Sequence, residues 1–85
     1  MTKKVEIYTT PSCTYCKMTK EFFKQNNVEY SEYDVVADAA KRQEMIDKSG
    51  QMGVPVIRIA DPDGSNESFV VGFNKPQLAS LLGIA

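Results

Sequence analysis

Lys4-Val5-Glu6-Ile7-Tyr8-Thr9 runs directly into Thr10-Pro11-Ser12 and then into Cys13-Thr14-Tyr15-Cys16. The first stretch alternates around Val5 and Ile7, with Tyr8 beside them, as a short strand does. Thr10-Pro11-Ser12 is turn and cap chemistry, and Ser12 is of a type that accepts from the backbone N–H groups of a first helical turn. Beyond it, Tyr15, Met18, Phe22 and Phe23 recur at helical spacing, with Lys17, Lys20, Glu21 and Lys24 between them. This predicts a helix over 13–26, ended by Asn26-Asn27. Strand, turn and helix together deliver a Cys-x-x-Cys to the start of a helix.

The pattern continues outward. Residues 28–33 read as a second strand and 37–48 as a second helix, rich in good helix formers and ended by Ser49-Gly50. After the loop Gln51-Met52-Gly53 comes the β-branched run Val54-Pro55-Val56-Ile57-Arg58-Ile59. Asp61-Pro62-Asp63-Gly64-Ser65-Asn66 carries hairpin signals, so 67–71 is the antiparallel partner of that run. Asn74 caps a last helix with Pro76 in its first turn, Leu78, Leu81 and Leu82 on one face, and Gly83 at its end. The order β-α-β-α-β-β-α starts with a right-handed crossover between parallel strands and adds an antiparallel pair. The expected fold is α/β and thioredoxin-like: a four-stranded mixed sheet with helices on both faces, residues 1–85 forming one domain.

Composition narrows the chemistry. Ten Lys and Arg against eleven Asp and Glu give a net charge of -1, which excludes a strongly basic nucleic-acid binder. The chain has no His, which removes Ser-His and Cys-His nucleophile pairs and the commonest metal ligand. No apolar run approaches the roughly 18–20 residues of a membrane span, and the N-terminal residues lack a signal-peptide core. The expectation is a cytoplasmic monomer with no membrane or nucleic-acid partner. Two cysteines are too few for a secreted disulfide scaffold of this length.

The pair has a chemical reading instead. A thiolate, not a thiol, is the nucleophile. At a helix start, Cys13 meets free N–H groups and the positive end of the helix dipole, and Lys17 one turn on adds a cation. Ser12 and Lys17 are therefore candidate thiolate-stabilising residues. Cys16 shares its stripe with Phe23 and is expected to lie deeper, as the resolving thiol of a dithiol exchanger. Two other readings compete: half of a metal or iron–sulfur site bridged between two chains, or a pair of inert structural cysteines. Closing tetrahedral zinc within one chain needs two further Cys or His ligands, which are absent. Pro55 reads either as an edge-strand proline or as a cis bond that aims the Val54 backbone at a bound chain. Gly72-Phe73 reads as a turn glycine with a core aromatic or as a substrate contact. The lysines of the first helix read as a solvated face, with Lys17 and Lys20 also placed to help attract an acidic partner.

Through Ile7-Tyr8-Thr9-Thr10-Pro11-Ser12-Cys13-Thr14-Tyr15-Cys16, Gly53-Val54-Pro55-Val56 and Val71-Gly72-Phe73, the chain resembles the glutaredoxin family over nearly its whole length. The resemblance implies a cis proline at Pro55 facing the dithiol, Cys13 as the attacking thiol, and Tyr15, Val54, Pro55, Gly72 and Phe73 as substrate-binding residues. It implies reduction of disulfide-containing proteins with no bound organic cofactor or metal, and glutathione as a possible co-substrate. There are departures. Thr14 fills a slot usually held by Pro, Thr10 one often held by a glutathione-binding Lys, and Asn74 the neighbourhood of a glutathione-binding Asp. Gly-Phe followed by a basic residue and Pro is more similar to small redoxins fed by thioredoxin reductase. Phe73 beside Lys75 offers such a flavoprotein an apolar anchor with a charged rim. The expected donor is thioredoxin reductase, with glutathione a poor one.

Overall fold

A computed structural model describes residues 3–84. Its elements are β1 (Lys4–Thr9), α1 (Thr14–Gln25), β2 (Ser31–Asp34), α2 (Ala39–Ser49), β3 (Val56–Ala60), β4 (Ser68–Val71) and α3 (Lys75–Leu82). The sheet order is β2-β1-β3-β4, with β1 parallel to β2 and antiparallel to β3, and β3 antiparallel to β4. The predicted order and the mixed four-stranded sheet are both present.

Helices cover both faces. On one, Val5, Ile7, Ile57, Ile59 and Val70 pack against Phe22 and Phe23 of α1 and Leu78 of α3. On the other, Tyr8 and Val56 pack against Val35 and against Met45 of α2. Burial from both sides explains why β3 is apolar almost throughout. Fully burying a side chain such as Ile7, Phe23 or Ile57 contributes about 1.5–3 kcal/mol.

The α2 face also holds an ion-paired network that the alternation of β1 does not announce. Arg58 and Glu6 are both buried and paired with each other, and Arg58 also pairs with Glu67. The Tyr33 hydroxyl donates to the second Glu6 oxygen at 2.7 Å, and Lys41 lies 4.2 Å from the Tyr33 ring centroid. Burial alone pushes the Glu6 carboxyl up; the Tyr33 and Arg58 hydrogen bonds and the Arg58 and Lys4 charges outweigh it and hold it below the ordinary carboxylate range.

Several element boundaries differ from expectation for local reasons. Asn27 adopts a left-handed φ of 55° and Val28 donates back to the Phe23 carbonyl at 2.8 Å. Residues 28–30 therefore belong to the exit from α1, and β2 begins only at Ser31. Asp34 accepts from the N–H groups of Val36 and Ala37, making a turn that delays α2 until Asp38 caps it through Lys41 N. Gly50 ends α2 at φ 72°, a left-handed conformation natural to glycine. The last helix is as read: Asn74 accepts from Gln77 N at 3.2 Å, and Gly83 closes it.

Candidate active site

Register places the predicted site at one end of the sheet. Thr9, the last residue of β1, lies opposite Asp34, while Tyr8 lies opposite Val56 and Val56 opposite Val71. The segments after Thr9, before Val56 and after Val71 therefore leave the sheet on the same edge. These are the segments that carry Cys13, Pro55 and Gly72.

The turn out of β1 sets the cysteines. Cys13 N donates to the Thr10 carbonyl at 3.3 Å, closing a β-turn with Pro11 at its second position, where a fixed φ suits proline. Cys13 is left extended, at φ -81° and ψ 109°, and becomes the N-cap of α1. Its Sγ accepts from Cys16 N at 3.1 Å. This corrects the expectation for Ser12: the cap is the cysteine itself, and Ser12 is an exposed corner of the turn. Cys13 is half-buried and Cys16 is 1% exposed, with Cα atoms 5.2 Å apart and the sulfurs joined as a disulfide. The expected difference in depth between the two cysteines is present.

The support beneath the turn is polar. The buried Thr9 hydroxyl donates to Glu32 Oε2 at 2.8 Å, and Lys20 Nζ reaches the same oxygen at 2.8 Å. The Lys20 hydrogen bond is the main reason the Glu32 carboxyl sits below its ordinary range, against the opposing effect of burial. Lys20 is thus held by Glu32 and is not the free cation expected from its place in α1. Thr19 is buried and donates to the Tyr15 carbonyl at 2.8 Å.

The Val54–Pro55 bond is cis, and Pro55 is buried. Its carbonyl accepts from Gly72 N at 2.9 Å, which ties the end of β4 to the proline. Gly72 makes this turn at φ 76°, a region costly for residues with a Cβ. Among the described residues, no hydrogen-bond partner reaches the Val54 backbone N–H or carbonyl. Tyr15 is 61% exposed. Phe73 is half-buried and turned inward, its ring edge-on to Phe22 at 6.0 Å. The structure therefore makes Phe73 core-adjacent first, with only part of its surface facing outward. The Asn74 side chain is committed to capping α3 through its carbonyl oxygen.

A cleft lies on each side of this corner. One, of about 410 Å³, is lined by Thr10, Val36, Arg42, Met52 and Val54. The other, of about 470 Å³, is lined by Lys17, Met18, Phe22, Phe73 and Lys75 among others. Arg42 and Met52 escaped the sequence reading. The loop after α2 carries the 69%-exposed Met52 to Thr10 and Val54, and only an apolar residue in a polar loop signalled it. Arg42 matters because it puts a cation in the cleft where Thr10 supplies none. Among the described residues, no three His, Cys, Asp or Glu side chains converge as a metal site, and no helix is long and apolar enough to cross a membrane.

A family model described as Glutaredoxin matches residues 5–62. A glutaredoxin-like 8.6 kDa protein in the rubredoxin operon of Clostridium pasteurianum is 42% identical over 78 residues, covering 92% of this chain and 96% of that protein. Glutaredoxin 3 of Escherichia coli K12 is 44% identical over 55 residues, 65% of this chain and 66% of that protein. Among solved structures, the thioredoxin-like protein BC3987 superposes with a TM-score of 0.80 at 40% identity, over 93% of this chain and all of that one.

Proposed function

The chain belongs to the glutaredoxin family, and from that premise we propose that it reduces protein disulfides by dithiol exchange, Cys13 attacking and Cys16 resolving. One observation carries the assignment of roles: the half-buried Cys13 Sγ caps α1 against Cys16 N–H, while Cys16 is enclosed. A hydrogen bond from the helix start, with Lys17 one turn on, favours the anionic sulfur.

In the reduced protein, the Cys13 thiolate attacks one sulfur of the substrate disulfide. A Cys13–substrate mixed disulfide forms, and the other substrate sulfur leaves as a thiolate that takes up a proton. Cys16 then loses its proton and attacks Cys13 Sγ. The Cys13–Cys16 disulfide forms, the second substrate sulfur leaves, and two electrons have passed to the substrate. The open N–H and carbonyl of Val54, beside Pro55, pair with the substrate backbone, and Tyr15 and Gly72 border that strip.

The donor we propose is thioredoxin reductase, with glutathione a slower co-substrate and no bound organic cofactor. Glutathione brings two carboxylates and an ammonium. Arg42 supplies a cation beside Thr10, but Asn74 offers an amide where a carboxylate would meet the ammonium. One missing charge-assisted partner costs roughly 1–2 kcal/mol, or about ten-fold in affinity. The cytoplasm, where thiols are kept reduced, is the compartment that suits this cycle.

Steady-state disulfide reduction with each donor alone tests the proposal. The expected result is turnover with thioredoxin reductase and about ten-fold slower turnover with glutathione. Efficient turnover with glutathione and none with the reductase would reassign the donor. No turnover with either, or with dithiothreitol, would overturn the oxidoreductase reading itself.

A further inference from the structure

Beyond Lys17, the cleft between α1 and the start of α3 has features the exchange chemistry does not use. Lys17 and Lys75 line it, with Glu21 as the one opposing acid among the described lining residues. Lys17 and Lys75 form no ion pair among the described residues; Lys4, Lys24 and Arg42 share that property, but Lys17 and Lys75 line the same cleft. The floor is apolar: Met18 is 44% exposed, and Phe22 carries the Lys75 ammonium 5.8 Å from its ring centroid. On a chain of net charge -1, two free cations over an apolar floor form a local field of the opposite sign.

We propose that this cleft holds the segment of the substrate protein that flanks its disulfide, and that it selects segments pairing an apolar side chain with carboxylates. This rests on the oxidoreductase reading above. The cleft starts at Lys17, whose N–H donates to the Cys13 carbonyl at 3.3 Å, so its mouth is one helical turn from the reacting sulfur. From there to Gln25, α1 rises about 12 Å, the length of roughly four extended residues. A chain joined to Cys13 through its own cysteine therefore brings an apolar residue, about two to three positions away, over Met18. Its carboxylates then fall between Lys17 and Lys75. Met18 suits an apolar contact of variable shape, being unbranched and flexible.

The test uses two synthetic peptides with the same intrachain disulfide, flanked on both sides by a leucine and two glutamates, or by a leucine and two lysines. Second-order rates of reduction by the pre-reduced protein are compared, beside a small neutral disulfide. The acidic peptide is expected to react about ten-fold faster at low salt, a difference of about 1.4 kcal/mol. The preference should collapse toward unity near 1 M salt, where screening acts within about 3 Å. Lys75→Glu should cut the preference at least five-fold; an acid at the start of α3 favours that helix, so the fold is kept. Lys24→Glu, on α1 but outside the cleft, makes the same change in net charge and should keep the preference. Equal rates for both peptides in the unaltered protein, with the neutral disulfide still reduced, would overturn this inference alone. So would a loss of preference in Lys24→Glu as large as in Lys75→Glu. Failure to reduce any of the three disulfides would instead overturn the oxidoreductase reading.

Discussion

Replacing Cys13 by Ala and by Ser separates its two duties, because Ser keeps a capping acceptor and Ala does not. Cys13 Sγ accepts from Cys16 N at 3.1 Å, and the α1 it caps carries Phe22 and Phe23 of the core. Removing an N-cap acceptor costs about 0.5–2 kcal/mol. Sulfur is a weaker acceptor than oxygen, so Cys13→Ala should cost about 0.5–1 kcal/mol relative to the reduced parent. Cys13→Ser should match or slightly exceed the parent. For a chain of this size, about 1 kcal/mol moves the unfolding midpoint by roughly 4–8 °C. The comparison is made by urea and thermal unfolding with every protein fully reduced, so that the Cys13–Cys16 crosslink plays no part. Disulfide reduction is assayed on the same samples, and both variants should be inactive. If Cys13→Ala and Cys13→Ser unfold within about 0.3 kcal/mol of one another, the side chain at position 13 is not capping the helix. Exchange activity in Cys13→Ser would refute its role as nucleophile.

Glu6→Gln removes the charge facing buried Arg58, which keeps Glu67, and should destabilise the protein by about 2 kcal/mol at neutral pH. Because the Glu6 carboxyl is held below its ordinary value of 4.5, its contribution is present above that pH and lost as pH falls through the lower, folded-state value. The urea midpoints of parent and variant should thus converge in acid, and a gap of constant size from pH 7 down to about pH 2.5 would contradict the assignment. Asn74→Asp keeps the acceptor for Gln77 N and adds a negative charge at the start of α3, for a gain of about 0.3–1 kcal/mol. It also restores an acid near the proposed ammonium site, so glutathione-driven turnover should rise about ten-fold; unchanged turnover would remove position 74 from glutathione recognition.

The parts of the fold that sequence made legible are those set by local periodicity and punctuation. Val5 and Ile7 alternate, Met18, Phe22 and Phe23 recur at helical spacing, and Asn74 and Gly83 bracket α3, so element order followed. The cysteine pair was legible because spacing alone puts Cys16 one turn inside Cys13. Contacts across the sheet were not. Glu6 and Arg58 are 52 positions apart, and alternation assigns charges on one strand face to solvent; here they are buried against each other and satisfied by Tyr33 of β2, Glu67 and the Gly64 carbonyl. Lys20 appeared free because Glu32, on the neighbouring strand β2, is invisible to helical i,i+4 reasoning. Ser12 and Cys13 both offer an acceptor, and what decides between them is the Thr10–Cys13 turn, which delays helical geometry until Thr14. Met52 joins Thr10 only through the path of the loop after α2, and Arg42 only through the placement of α2 itself.

Trapping distinguishes an attacking Cys13 and a resolving Cys16 from the reverse assignment. Reduced Cys16→Ser is mixed with a disulfide-containing protein, quenched with acid, digested without reductant and mapped by mass spectrometry. A mixed disulfide should accumulate between the substrate and Cys13, because the second sulfur that would release it is gone. A substrate adduct formed through Cys16 in Cys13→Ser, with none on Cys13 in Cys16→Ser, would contradict Cys13 as the attacking sulfur.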